Sequence, residues 1–335
     1  MTTETDTPAR PRLWRGATGA RPAALLAAAT LALAALPAGA EEPTKLRLLL
    51  DWYLNPDHAP IVMAEELGYF AEAGLEVEVI QPADPAAPPR LVAAGQADLA
   101  VSYQIQLHLQ VDEGLPVAWV GTLVATPLNC LLVMADSGIE SPADLAGKTI
   151  GYSVPGVEEA LLGAILAEHG VAMDAVDLVN VNFSLSPALM TGQVDAVIGA
   201  YRNFELNQLE IEGEEGRCFY IEEEGLPAHD ELIYVAHAET VDREAVARFL
   251  EAVERATMYI INHPDESWET FKATDSALDD ALNAKAWVDT LPRLALRPAA
   301  FDAGRYARLG AFLAERGLTG KPAPVSRLAV QVHDR

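Results

Sequence analysis

Residues 49–60 of this chain, Leu49-Leu50-Asp51-Trp52-Tyr53-Leu54-Asn55-Pro56-Asp57-His58-Ala59-Pro60, place two aromatic rings, an amide, an imidazole and two carboxyls within eight positions of each other. They follow a short apolar run, Leu46–Leu50, that reads as a strand, and ligands of open α/β sheets bind at the carboxyl edges of strands. A second such edge follows Asp195–Gly199, where Tyr201, Asn203 and Glu205 come in succession. Trp52, Tyr53 and Tyr201 could sandwich a planar ring, offset stacking contributing on the order of 0.5–1.5 kcal/mol per pair beyond burial. Asn203 and Glu205 form an Asn-x-Glu pair in which a cleft carboxylate accepts hydrogen bonds from an exocyclic amine and an adjacent ring N–H in one plane. Glu231 is a further candidate acid. Asn55 can donate to and accept from a heterocycle edge, and His58 either joins it or hydrogen-bonds its own loop. Ser102, Tyr103 and Gln104 supply uncharged polar groups at a third strand end. The bland alternatives are core aromatics for the rings and a solvated first-turn acid, favourable to the helix dipole, for Glu205. Asp51 is expected to be structural, Asp57 to cap the following helix, and Arg202 to pair with an acid across a closing cleft.

The elements that must hold these groups alternate strand with helix, which predicts parallel-rich sheets flanked by helices. Strands are expected at Leu46–Leu50, Val77–Ile80, Asp98–Val101, Val117–Val124, Thr149–Tyr152, Asp177–Asn182, Asp195–Gly199 and Glu231–Ala236, with mostly helix from Val241 to about Arg316. Ser141 caps a short helix with Pro142 in its first turn, which Gly147 ends, and the turn Ser153-Val154-Pro155-Gly156 could offer N–H groups to a cleft. Two lobes are expected, residues 41–130 with 235–335 forming the first and 131–234 the second, with the ligand cleft between them. Thr319–Arg335 is expected to wrap the surface or be loose.

Composition narrows the partners. Arg10, Arg12, Arg15 and Arg21 precede an apolar run from Ala23 to Leu36 and the small residues Ala38-Gly39-Ala40. That is the pattern of a secretory signal cleaved near Ala40, too short to cross a bilayer as an anchor. With the leader's four Arg and two acids gone, the formal charge moves from −26 to −28, a field that repels nucleic acid. The mature chain is thus expected to be periplasmic and monomeric. Cys130 and Cys218 are the cysteines of the chain; in an oxidising compartment they could pair, but they fall in segments placed near different strands and are expected to be free and buried. The seven His show no ligand-like spacing, so no metal is expected. Phosphate-binding glycine loops, Gly-x-Ser-x-Gly and His-Glu-x-x-His are absent from the sequence, which leaves no signature for an enzyme.

Asp51-Trp52-Tyr53-x-Asn55-Pro56-x-His58-Ala59-Pro60, Lys148-Thr149-Ile150-Gly151, Gly192-Gln193-Val194-Asp195-Ala196 and Tyr201-x-Asn203-x-Glu205 together resemble the bacterial pyrimidine-binding proteins of thiamine-precursor ABC importers. That family also contains the fungal enzymes that make the thiamine pyrimidine. The resemblance covers roughly residues 45–318. It implies a two-lobed periplasmic-binding-protein fold of type II and a receptor that delivers a hydroxymethyl- or formylaminomethyl-aminopyrimidine to a membrane permease, without a cofactor. The ring would stack among Trp52, Tyr53 and Tyr201, its edge fixed by Glu205 and Asn55. The synthase differs: it uses a lysine for pyridoxal phosphate, a histidine consumed as substrate and a cysteine-rich block. Aligned on Ala97-Asp98-Leu99, these fall at Ser102, near Gln106 and around Asp230–Val235, which holds no cysteine. Receptors for a flavin, a thiamine-related compound, a sulfonate or nitrate are the other readings.

Overall fold

The computed structural model describes residues 42–332, so the leader and its cleavage site lie outside the described residues. Ten strands form two five-stranded sheets. The first has the order β2-β1-β3-β10-β4, from β1 (Thr44–Leu49), β2 (Leu75–Ile80), β3 (Leu99–Tyr103), β4 (Val117–Val124) and β10 (Leu232–His237). The second has the order β7-β6-β8-β5-β9, from β5 (Asn129–Met134), β6 (Thr149–Tyr152), β7 (Asp177–Asn180), β8 (Ala196–Tyr201) and β9 (Gly216–Tyr220). The sheets share one plan. In each, one strand pairs in parallel with two βα-unit neighbours, and a strand reached across the crossover inserts antiparallel. The sheets are therefore mixed, because β10 and β5 each enter their sheet from the opposite end to the strands beside them.

The chain passes from the first sheet to the second across residues 125–128 and returns across 221–231. Helix Arg243–Asn262 covers the first sheet. Asp242 caps it by accepting the Ala245 N–H at 3.0 Å, and Ala245, Val246, Phe249, Leu250, Val253, Ala256 and Ile260 bury one face at helical spacing. Phe249 stacks on Phe70 with ring centres 5.3 Å apart and meets Tyr234 of β10 edge-on. The second core gathers Ile150, Ile198, Leu162 and Ile165 beneath helix Val157–Glu168. No helix among the described residues is long and apolar enough to cross a membrane.

One expectation changes. Cys130 and Cys218 are not free: they form a disulfide with Cα atoms 5.5 Å apart. Their strands, 88 positions apart in sequence, are immediate neighbours, β5 against β9. Of the two readings of the chain end, the described part up to residue 332 takes the first and packs along the surface: Leu328 is buried and Val330 N–H donates to Trp119 O at 2.9 Å.

Candidate functional site

A narrow cavity lies where the carboxyl ends of β1, β3 and β8 converge. Trp52, Asn55, His58, Tyr103, Tyr201, Glu205 and Glu231 line it, as do Asp51, Asp57, Glu158 and His229. Tyr53, Ser102, Gln104 and Asn203 do not line it.

From the first sheet, Asp51 organises the wall. Its Oδ1 lies 2.9 Å from His58 Nε2, and its Oδ2 accepts the Tyr103 hydroxyl at 3.1 Å. Since His58 Nδ1 accepts the Asn55 N–H at 3.3 Å, Nε2 is the nitrogen that donates to Asp51. Asn55, not Asp57, caps the short turn Pro56–His58: its Oδ1 accepts the Asp57 N–H at 2.8 Å, and its Nδ2 donates to Tyr53 O at 3.0 Å. Pro56 sets the backbone for that turn. Asp57 is left free to reach across the cleft. Its Oδ1 accepts from Asn203 Nδ2 at 2.7 Å and from Thr290 Oγ1 at 2.9 Å. Burial, opposed by His58 and by the Thr290 and Asn203 bonds, brings the Asp57 carboxyl up to about 6.

From the second sheet, Tyr201 ends β8, and Glu205 opens helix Glu205–Ile211. Glu205 Oε2 accepts the Tyr201 N–H at 2.7 Å. Burial raises this carboxyl to about 7 despite that bond. The Tyr201 hydroxyl donates to Glu231 Oε1 at 3.3 Å, while Glu231 Oε2 accepts the N–H groups of Leu128 and Asn129 at 2.6 and 3.0 Å. Glu231 thus ties the returning crossover to the outgoing one.

The sequence reading missed Glu158. It stands in the first turn of helix Val157–Glu168, with Oε2 accepting the N–H groups of Ser153 and Val154 at 2.5 and 3.1 Å. Gly199 of β8 sits at φ +96°, and a Cβ there would lie 2.1 Å from Glu158 Oε1, so glycine is required for the carboxyl to fit. Burial drives Glu158 up to about 8, against the pull of its two backbone N–H partners. The signal was present: an acid directly beside Val157 on a face that continues through Ala160 and Leu161.

The sign of the pH effect follows. Glu158, Glu205 and Asp57 all titrate higher in the empty folded protein than in the unfolded chain. The folded state therefore holds extra protons between about pH 4 and 8, and stability falls as pH rises through that window. The melting temperature of the ligand-free protein should drop from pH 5.5 to pH 8. Glu158→Gln should flatten part of that slope and stabilise the protein at pH 8 by on the order of 1–3 kcal/mol, read by thermal melts across pH. An unchanged slope would mean that Glu158 is solvated.

Phe183 of the second lobe was also missed. Its ring centre lies 4.6 Å from that of Trp52 and 4.5 Å from that of Tyr53. Asn182 places it by adopting a left-handed φ of 52°, with its carbonyl accepting the Ser153 hydroxyl. Tyr53 is 50% exposed and lies on Phe183 outside the cavity. Asn203 is buried as a crosspiece to Asp57 and Thr290. Ser102 is turned from the Tyr103 face by strand alternation and donates to Gln106 Oε1 at 2.8 Å. Gln104 Oε1 accepts the Asp230 N–H at 2.7 Å. Arg202 pairs with Glu222 within the second lobe and lies 3.9 Å over the Tyr220 ring, not with a first-lobe acid.

Five carboxyls, Asp51, Asp57, Glu158, Glu205 and Glu231, face one cavity, and none of the described residues lining it is Lys or Arg. No group of described His, Cys, Asp and Glu residues could hold a metal ion. Such a lining suits an uncharged or cationic ligand that is rich in N–H donors and flat enough to lie beside Trp52 and Tyr201.

Residues 55–267 match the model of a family described as NMT1/THI5 like. A Haemophilus influenzae protein named as a thiamine biosynthesis protein is 50% identical over 89% of this chain and 94% of its own length. A formylaminopyrimidine-binding protein of Halalkalibacterium halodurans is 36% identical over 66% of this chain and 68% of its own. More distant relatives are named as 4-amino-5-hydroxymethyl-2-methylpyrimidine phosphate synthases. A Candida albicans protein described as having the generic periplasmic binding protein structural fold superposes with a TM-score of 0.68 at 18% identity, over 86% of this chain and 96% of that one. The two mixed sheets with a cleft at their carboxyl ends are that two-lobed fold, and with half the residues shared with one relative over nearly the whole length, the chain belongs to the NMT1/THI5-like family.

Proposed function

We propose that the protein is the exported receptor of an ABC-type importer, binding an aminopyrimidine precursor of thiamine, of the hydroxymethyl or formylaminomethyl kind, and handing it to a membrane permease. The observation that carries this reading is the cavity lined by five carboxyls, without Lys or Arg among its described lining residues, between Trp52 and Tyr201. The names of the relatives point the same way. A sulfonate or nitrate receptor needs cationic or N–H groups unopposed by acids; here the acids would repel such an anion. A pyridoxal-dependent synthase needs an amine for the Schiff base, and aligned on Ala97-Asp98-Leu99 the synthases' lysine falls at Ser102 and their histidine near Gln106.

In this reading the ring enters beside Trp52 and Tyr201, Glu205 accepts from its exocyclic amine, and the lobes close over it. Closure would be favoured by contacts that exist only when the halves meet. Three candidates are in place: Asn203 to Asp57, Asn207 Nδ2 to Asp289 Oδ2 at 2.8 Å, and Lys285 to Glu210. Phe183 over Trp52 adds an apolar one. The closed surface then docks on the permease as a monomer.

A thermal-shift screen of the mature protein tests this. A pyrimidine held at about 100 times its Kd adds about 2.7 kcal/mol, a rise of about 3–6 °C for a chain of this size. Sulfonates and nitrate should give none. A shift with a sulfonate and none with any aminopyrimidine would overturn the reading.

A further inference from the structure

His229 lies on the returning crossover, two residues after Pro227; it is one of the residues that line the cavity and is only 2% exposed. Nδ1 donates to Pro227 O at 2.9 Å. In the neutral ring that bond fixes the proton on Nδ1 and leaves a lone pair on Nε2, at the opposite edge of the imidazole. Nε2 is buried and has no hydrogen-bond partner. The neighbouring polar groups are already engaged: Glu231 with Leu128, Asn129 and Tyr201, and Tyr103 with Asp51. Among the described residues lining the cavity, His229 Nε2 is the fully buried polar side-chain atom left without a partner. A buried acceptor that is left unmade destabilises the protein, and a ligand donor would complete it.

We propose that His229 is a specificity-determining residue whose Nε2 accepts a hydrogen bond from an N–H or O–H on the substituent arm of the ligand. The inference rests on the aminopyrimidine reading and refines it. Glu205, on the second lobe, takes the amine edge of the ring, and His229, on the crossover, takes the donor of the arm. A hydroxymethyl O–H and a formylaminomethyl N–H supply the same donor chemistry, whereas a bare methyl group supplies none. The receptor would therefore distinguish a functionalised arm from a methyl of nearly the same size, which shape alone discriminates poorly.

The test is calorimetry of the mature protein with 4-amino-5-hydroxymethyl-2-methylpyrimidine and with its deoxy analogue, in which the hydroxymethyl group is a methyl. Wild type should prefer the alcohol by about 10- to 100-fold. His229→Phe should reduce that preference to within about 3-fold, and His229→Gln, whose carbonyl can accept, should restore part of it. In wild type, the ¹⁵N resonance of His229 Nε2 should shift on adding the alcohol and not the deoxy analogue, a readout that stands even where a variant fails to fold. If wild type binds neither pyrimidine, the functional reading fails. If wild type prefers the alcohol and His229→Phe keeps the full preference, or the Nε2 resonance is unmoved by the alcohol, the role of His229 fails and the aminopyrimidine reading stands.

Discussion

Glu205→Ala should weaken aminopyrimidine binding by about 30- to 1,000-fold, corresponding to about 2–4 kcal/mol. The carboxyl is buried and held by the Tyr201 N–H on Oε2, so it meets a ligand already oriented, with Oε1 as the acceptor for an amine. Removing it leaves two donors without partners in a dry cleft, the ligand amine and the Tyr201 N–H. Glu205→Gln separates the two. Its carbonyl can keep the Tyr201 bond, but its amide NH₂ then confronts the ligand amine, so affinity should fall almost as far while the melting temperature at pH 7 does not fall and should rise, since the buried ionisation is removed. The pH profile adds an independent sign. With the carboxyl at about 7 in the empty cavity, a ligand that pairs with the ionised form must first remove a proton below that pH. Affinity should therefore fall from pH 7 to pH 5, by at most about tenfold per unit, and Glu205→Gln should lack that dependence. Calorimetry of the three proteins at three pH values reads all of this. Unchanged binding in Glu205→Ala would remove Glu205 from the site.

Strand ends are where sequence and cavity coincide. Trp52, Tyr103 and Tyr201 each come within two residues of the end of an apolar run, and Glu205 opens the helix that follows the third; the rule that ligands sit at the carboxyl edges of α/β strands needs only the run and its end. Those four line the cavity. What stayed hidden depends on how distant segments meet. Asp57 looks like a helix cap in one dimension, yet Asn55 takes the cap and Asp57 reaches Asn203, 146 positions away. Phe183 carries no local signal, because its place comes from the left-handed Asn182 and from lobe closure. Ser102 and Tyr103 are adjacent in sequence and face opposite ways. The sheets follow the same logic: alternation of strands and helices reveals the βα units, but not that β10 and β5 enter their sheets antiparallel after crossing between the lobes.

Reduction of the Cys130–Cys218 disulfide should destabilise the second lobe by about 2–4 kcal/mol, lowering its melting temperature by about 5–15 °C. The magnitude follows from the 88-residue separation: cross-linking so long a loop removes much conformational freedom from the unfolded chain, and the loop-entropy relation gives on the order of 4–5 kcal/mol before native-state effects reduce it. The position makes the bond matter. It joins central strand β5 to edge strand β9, and β9 is only half-buried along its length, so burial alone anchors it weakly. The same β5 carries Asn129, whose Oδ1 accepts the Gly199 N–H at 3.2 Å beside Glu158, so loosening β9 should also soften the floor of the site. Thermal melts with and without reductant read the effect, and the Cys130→Ala/Cys218→Ala protein should melt near the reduced wild type and ignore reductant. A thiol titration of the denatured, unreduced protein should find none free; two free thiols would mean that the pair never forms. The bond also bears on where the protein works. Cytosolic thiol systems keep such pairs reduced, so the full contribution to stability is realised only in an oxidising compartment, the destination that the basic leader and the apolar run from Ala23 to Leu36 predict.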